Sequence, residues 1–144
     1  MTVLADRDME KDFEKGLKHP YSPVRYWTLM QMLAKKQIIV YSFFEDSVVS
    51  TLEDPEPIVA VAAAELLGTM TQRADHRKHA LDTLMNYAAF PGNELFLTVH
   101  ALNALEHLKD QGIELPARAK ELTQKHPDIP RVFDYYRPQI INRL

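Results

Sequence analysis

Residues 54–68 read DPEPIVAVAAAELLG. Two prolines open the stretch, and the eleven residues 58–68 then carry a single charge, Glu65. Alanine has the best helix propensity of any residue, and proline is well suited to a first helical turn, so the segment reads as a helix running to about Thr71. An exposed helix needs a wet face, and this one has almost none. It is therefore expected to be buried nearly all round. Ala60 and Ala62 to Ala64 would let neighbouring helix axes approach closely.

Outward from this rod the same grammar repeats. Residues 8–18 place Met9, Phe13 and Leu17 on one helical face, and HPYSP then breaks the chain. A helix is expected from about Pro23 to Lys36. Ser42 and Glu45 have capping-box spacing and should open the next, through Val48, Val49 and Leu52. Residues 38–41, IIVY, have strand propensity but no partner strand, and read as connector or early helix. Asp75 is a candidate N-cap for residues 76–89, where Ala80, Leu81, Leu84 and Tyr87 form a stripe. Asn93 can cap a helix to about Lys109, with Gly112 just past its end. Pro116 starts a shorter helix to about Lys125, and RVFDYY makes a last turn or two before Pro138.

This gives up to eight helices and no convincing strand. His19-Pro20 and Asp54-Pro55 lie 35 residues apart, as do Val24 and Val59, and a third helix follows 37–38 residues further on. A helix–break–helix period in the thirties signals an α-solenoid. The fold expectation is all-α, about four antiparallel helix pairs, with residues 1–144 as one domain.

Composition narrows the chemistry. The 144 residues are 46% hydrophobic and 26% charged, with a formal charge of −3 from 17 basic and 20 acidic residues. Nothing in that balance points to nucleic acid, whose binders present a basic face. There is no cysteine, so disulfides, thiolate metal sites and cysteine nucleophiles are excluded. No run reaches the roughly 18–20 apolar residues of a membrane span, nor does the N-terminus carry a signal-peptide core.

DPEPIVAVAAAELLG resembles the turn and second helix of a HEAT repeat. In that family an Asp-Pro turn leads into a Val-Arg start and an Ala-rich helix ending in Leu-Gly. HPYSPVRYW resembles the same turn, keeping Val24 and Arg25 but placing His19 where the aspartate stands; the second copy keeps Asp54 but has Ala60 in place of the arginine. Because the family's aspartate and arginine often pair between adjacent repeats, the resemblance implies that Arg25 and Asp54 form one surviving rung. The order of HPYSPVRYW, DPEPIVAVAAAELLG, LFLTVHALNALEHL and the tail HPDIPRVFDYYRPQIINRL is also similar to a segment at the C-terminal end of some bacterial sulfatases, where helical repeats follow the catalytic domain. Such sulfatases need a Cys or Ser matured to formylglycine and an Asp-rich calcium site. Ser22, Ser42, Ser47 and Ser50 sit in no such context, so no catalytic residue carries over.

The remaining candidates have plainer readings. His76 and His79, and His100 and His107, are spaced pairs rather than metal sets, because zinc needs three or four converging ligands. His100, among apolar neighbours, is expected to be partly buried packing. Asp6/Asp8, Glu53/Asp54 and Asp128 suit helix ends better than acid–base chemistry. The basic run 73–79, RADHRKH, is interrupted by Asp75 and reads as a solvated helix start. Tyr26, Trp27, Phe43, Phe44 and Phe96 fall at core-like positions. Tyr135 and Tyr136 belong either to a lid over the last pair, the favoured reading, or to a docking face.

The expected function is therefore a non-catalytic scaffold or protein-interaction domain, with no catalytic, cofactor-binding or metal residues. Its partner would be another protein or a covalently linked catalytic domain. Neither nucleic acid nor membrane is expected. The rival readings are the accessory C-terminal part of a sulfatase and a nucleic-acid-binding HEAT-like protein. The chain as it stands is expected in the cytoplasm, and exported if it is part of a sulfatase.

Overall fold

Pro57 opens the alanine-rich helix and Met70 closes it, and ten of its fourteen residues are buried, including Ala60 and Ala62 to Ala64. The expected dry rod is real. Its entry is set by Asp54, whose Oδ1 accepts the Glu56 N–H at 2.9 Å, so the chain turns before the proline begins the helix. Thr71 ends it in an extended conformation, and the Thr71 hydroxyl accepts the Arg73 N–H at 3.1 Å.

The computed structural model describes residues 12–35, 44–89 and 95–125. Among these the protein is all-α, with seven helices and no strand. They are α1 (residues 12–17), α2 (Ser22–Lys35), α3 (Glu45–Thr51), α4 (Pro57–Met70), α5 (Ala74–Ala88), α6 (Leu95–Asp110) and α7 (Ala117–Lys125). The expectations for IIVY, Ser42, Phe43, Asn93, the acidic residues Asp6, Asp8 and Asp128, and the tail with Tyr135 and Tyr136 fall outside the described residues.

The rod α4 packs against α2, α3, α5 and α6, which is why so little of it reaches water. In turn α5 packs against α4, α6 and α7. One apolar core runs from Phe13 on α1 to Leu122 on α7. Two glycines mark close helix approaches. A β-carbon at Gly68 would stand 2.9 Å from Leu108 Cδ1, and one at Gly16 would collide with the Thr28 side chain. At its far end α6 stops at Gly112, whose φ of 89° suits glycine. The Ile113 N–H reaches back to Leu108 O at 3.1 Å and the Gly112 N–H to Lys109 O at 2.9 Å, the paired bonds of a Schellman cap.

Three expectations need correction. Asp75 does not cap α5: the helix starts at Ala74, Arg73 holds the cap position, and Asp75 instead takes the Arg73 guanidinium at 3.2 and 2.8 Å. A charge-assisted pair two residues away outcompetes a neutral backbone donor. The part of the expected capping box that falls on Glu45 does not form: Phe44 holds the cap position with no side-chain hydrogen bond, and Glu45 turns its carboxylate toward His76 on α5. Of the aromatics read as core, Phe44 is buried and Tyr26 half-buried, but Trp27 and Phe96 are 41% and 52% exposed. Helical spacing identifies a stripe but not whether a neighbouring helix covers it.

Candidate functional site

The best-defined polar contact joins α2 to the turn before α4. Arg25 grips Asp54 with both arms of its fork: Nε donates to Oδ2 at 2.7 Å and Nη2 to Oδ1 at 3.0 Å. Its third nitrogen, Nη1, donates to the His19 carbonyl at 2.8 Å, tying the first turn into the same knot. Both side chains are largely buried, 13% and 7% exposed. Burial pushes the Asp54 carboxyl up, but the Arg25 hydrogen bonds, the Glu56 amide and the Arg25 charge outweigh it and hold it below the ordinary carboxylate value. This is the rung expected from the resemblance, and every group in it is occupied by structure.

The histidines form separate pairs. His76 Nδ1 faces Glu45 Oε1 at 3.3 Å. His79 Nε2 lies 3.6 Å from Glu53 Oε1. His107 Nδ1 is 2.7 Å from Glu65 Oε1, and Gln111 Nε2 is 3.1 Å from His107 Nε2. The His107 ring thus bridges Glu65 on α4 and Gln111 at the end of its own helix. No three of the described His, Asp or Glu side chains gather into a group that could hold a metal ion. Glu53 and Asp54, adjacent in sequence, go to different partners. The basic run 73–79 is partly paired: Arg73 with Asp75 inside the run and Lys78 with Asp82 beyond it at 2.7 Å, while Arg77 donates to the Thr71 carbonyl at 2.7 Å.

A different feature draws the other residues together. Three helices carry half-exposed stripes at helical spacing: Tyr26, Met30 and Leu33 on α2; Ile58, Glu65 and Thr69 on α4; Phe96, His100, Asn103 and His107 on α6. α4 touches both α2 and α6, and Glu65 on α4 bonds His107 while its charge reaches Tyr26 and His100, so the three stripes meet there. Glu65 stands at their centre. Its charge acts on Tyr26, which burial chiefly and Glu65 secondarily push up, and on His100, where burial pushes the imidazole down against the pull of Glu65. His100 also meets the Phe96 ring edge to face, with centroids 4.4 Å apart.

This face combines apolar and aromatic surface with one carboxylate. Among the described residues it gathers no nucleophile, base and oxyanion donor in one place. Sequence reasoning set the metal reading of His100 and His107 aside and expected His100 as partly buried packing, which it is, but it gave the lone charge at Glu65 no role. The available signal was the lone charge at position 65 in a helix otherwise free of charge. Elsewhere, a recess of ≈ 390 Å³ between α1 and α2 is lined by Asp12, Lys15, His19 and Trp27. Among the described residues no helix is long and apolar enough to cross a membrane. No protein-family model, curated protein or solved structure matches the chain.

Proposed function

We propose that the chain is a HEAT-like helical-repeat scaffold, without catalytic activity of its own, that binds a protein on the face formed by α2, α4 and α6. The observation that carries this reading is the alignment of three half-exposed stripes on consecutive alternate helices. An α-solenoid presents such a surface along the second helices of its pairs. The succession of α2, α4 and α6, the contact of α5 with α7, and the Arg25–Asp54 rung between successive turns support the same architecture. The pairing of Arg73 with Asp75 and of Lys78 with Asp82, together with the formal charge of −3, favours a protein partner over phosphate contacts.

Photo-crosslinking tests the reading. A benzoylphenylalanine is placed at Asn103 on the face, or at Lys78 on the exposed side of α5. In cells of the source organism a discrete protein adduct is expected from position 103 and none from 78. Equal adducts from both positions, or none from 103, contradict it. Peptide masses of the adduct also identify the partner's class. A sulfatase catalytic domain there would support the accessory role that the sequence resemblance implies.

A further inference from the structure

Glu65 is the one charged side chain that α4 carries, and it sits in the middle of a mostly uncharged surface. Its side chain is 19% exposed, so it is neither solvated like a surface carboxylate nor sealed in the core. Among the described residues its side-chain hydrogen bond goes to the His107 imidazole, 2.7 Å away, and no Arg or Lys side chain pairs with it. A partly desolvated carboxylate of this kind interacts strongly with a counter-charge, because the surrounding apolar surface lowers the local dielectric. Arg25 lies on the neighbouring helix but is committed to Asp54. The flanking groups are Tyr26 on one side and His100, with Phe96 against it, on the other. Aromatic rings flanking a carboxylate suit the planar guanidinium of arginine, or the long stem and ammonium of lysine. Met30, Leu33 and Ile58 extend the surface with apolar area.

We infer that the α2–α4–α6 face takes a protein segment that presents an arginine or lysine to Glu65 from among apolar side chains. The inference rests on the proposed docking role and adds the chemistry of the partner. The occupant is set by charge complementarity: an acidic segment or a nucleic-acid strand would bring like charge to Glu65, and a wholly apolar one would desolvate the carboxylate with His107 as its sole described partner.

The test uses the full chain and a phage-displayed library of random 12-residue peptides. Selected peptides are synthesised and titrated calorimetrically into the wild type, Glu65→Gln, and Asp82→Asn on the exposed side of α5. Amide chemical-shift changes map where each one binds. Peptides carrying Arg or Lys among apolar residues are expected, shifting Tyr26, Thr69 and Asn103. Glu65→Gln should weaken them roughly tenfold or more, as for loss of a charge-assisted contact, while Asp82→Asn leaves them unchanged. Glutamine keeps a hydrogen-bonding group for His107, and a thermal melt of each variant confirms the fold. Peptides that map to the face but lack a basic residue, or that ignore Glu65→Gln, overturn this inference and leave the docking role standing. Peptides that map elsewhere, or no selected peptides at all, overturn both.

Discussion

Arg25 and Asp54, 29 residues apart, are locked fork to fork across the gap between α2 and the turn into α4. The same aspartate turns the Glu56 amide, so one carboxylate both shapes the entry to α4 and fastens it to its neighbour. Removing either partner leaves the other charge desolvated and alone. Arg25→Met and Asp54→Asn should each cost about 2–4 kcal/mol, and the double variant clearly less than their sum. Urea unfolding of the four proteins measures this, and strict additivity would dissolve the rung.

The pH dependence follows from groups whose folded pKa lies below the ordinary value. Asp54 is ionised in the fold at pH values where the unfolded chain has begun to take up protons. Its contribution is complete above the unfolded carboxylate value of about 3.9 and is lost as pH falls through the lower folded value. Asp54→Asn should therefore fall behind the wild type most at neutral pH and converge with it on strong acidification. Burial disfavours the charged form of His100, so the unfolded chain protonates first, below about pH 6.5. His100→Leu should gain stability relative to the wild type as pH drops from 7.5 to 5. Thermal melts across that range decide, and a constant difference contradicts the assignment.

Leu108 closes on Gly68 so tightly that a β-carbon there needs the buried leucine to move. Alanine would gain roughly 1 kcal/mol of helix propensity over glycine, but overpacking costs about 1–3 kcal/mol. Gly68→Ala should be destabilising by up to about 2 kcal/mol. Shortening Leu108 to alanine makes room for the new methyl, so the double variant should be more stable than the two single losses added together. A positive or null effect of Gly68→Ala alone would show that α4 and α6 sit further apart.

Much of this architecture was legible in residues 54–68, because an apolar helix with one charge has few ways to stay folded except between other helices. The Arg25–Asp54 pair was implied only by the resemblance of the two turns to a HEAT repeat, and the α6 end was legible through Gly112, where positive φ demands a glycine. The start of α5 was not, since Asp75 had a stronger partner in Arg73 than in a backbone amide. Trp27 and Phe96 were misplaced because periodicity sets the side of a helix, while exposure depends on what packs there. A binding surface along the second helices of the pairs was expected, but the residues that form it lay beyond reach for the same reason. Its residues are separated by up to 81 positions, from Tyr26 to His107, and only packing brings them together.

The depth of α4 predicts a contrast in tolerance. Ala63 is fully buried, whereas Gln31 on α2 is exposed. Ala63→Glu places an unpaired charge between helices and should cost more than about 4 kcal/mol, enough to unfold a marginal domain. Gln31→Glu should stay within about 0.5 kcal/mol. Circular dichroism and urea midpoints report both.

If α4 is the shared spine on which α2, α3, α5 and α6 lean, its amides open only when the whole array opens. Native-state hydrogen exchange measures this directly. The account predicts that residues 60–68 exchange most slowly in the chain, with opening free energies equal to the global unfolding free energy. Exchange in α4 as fast as in α7 would contradict it.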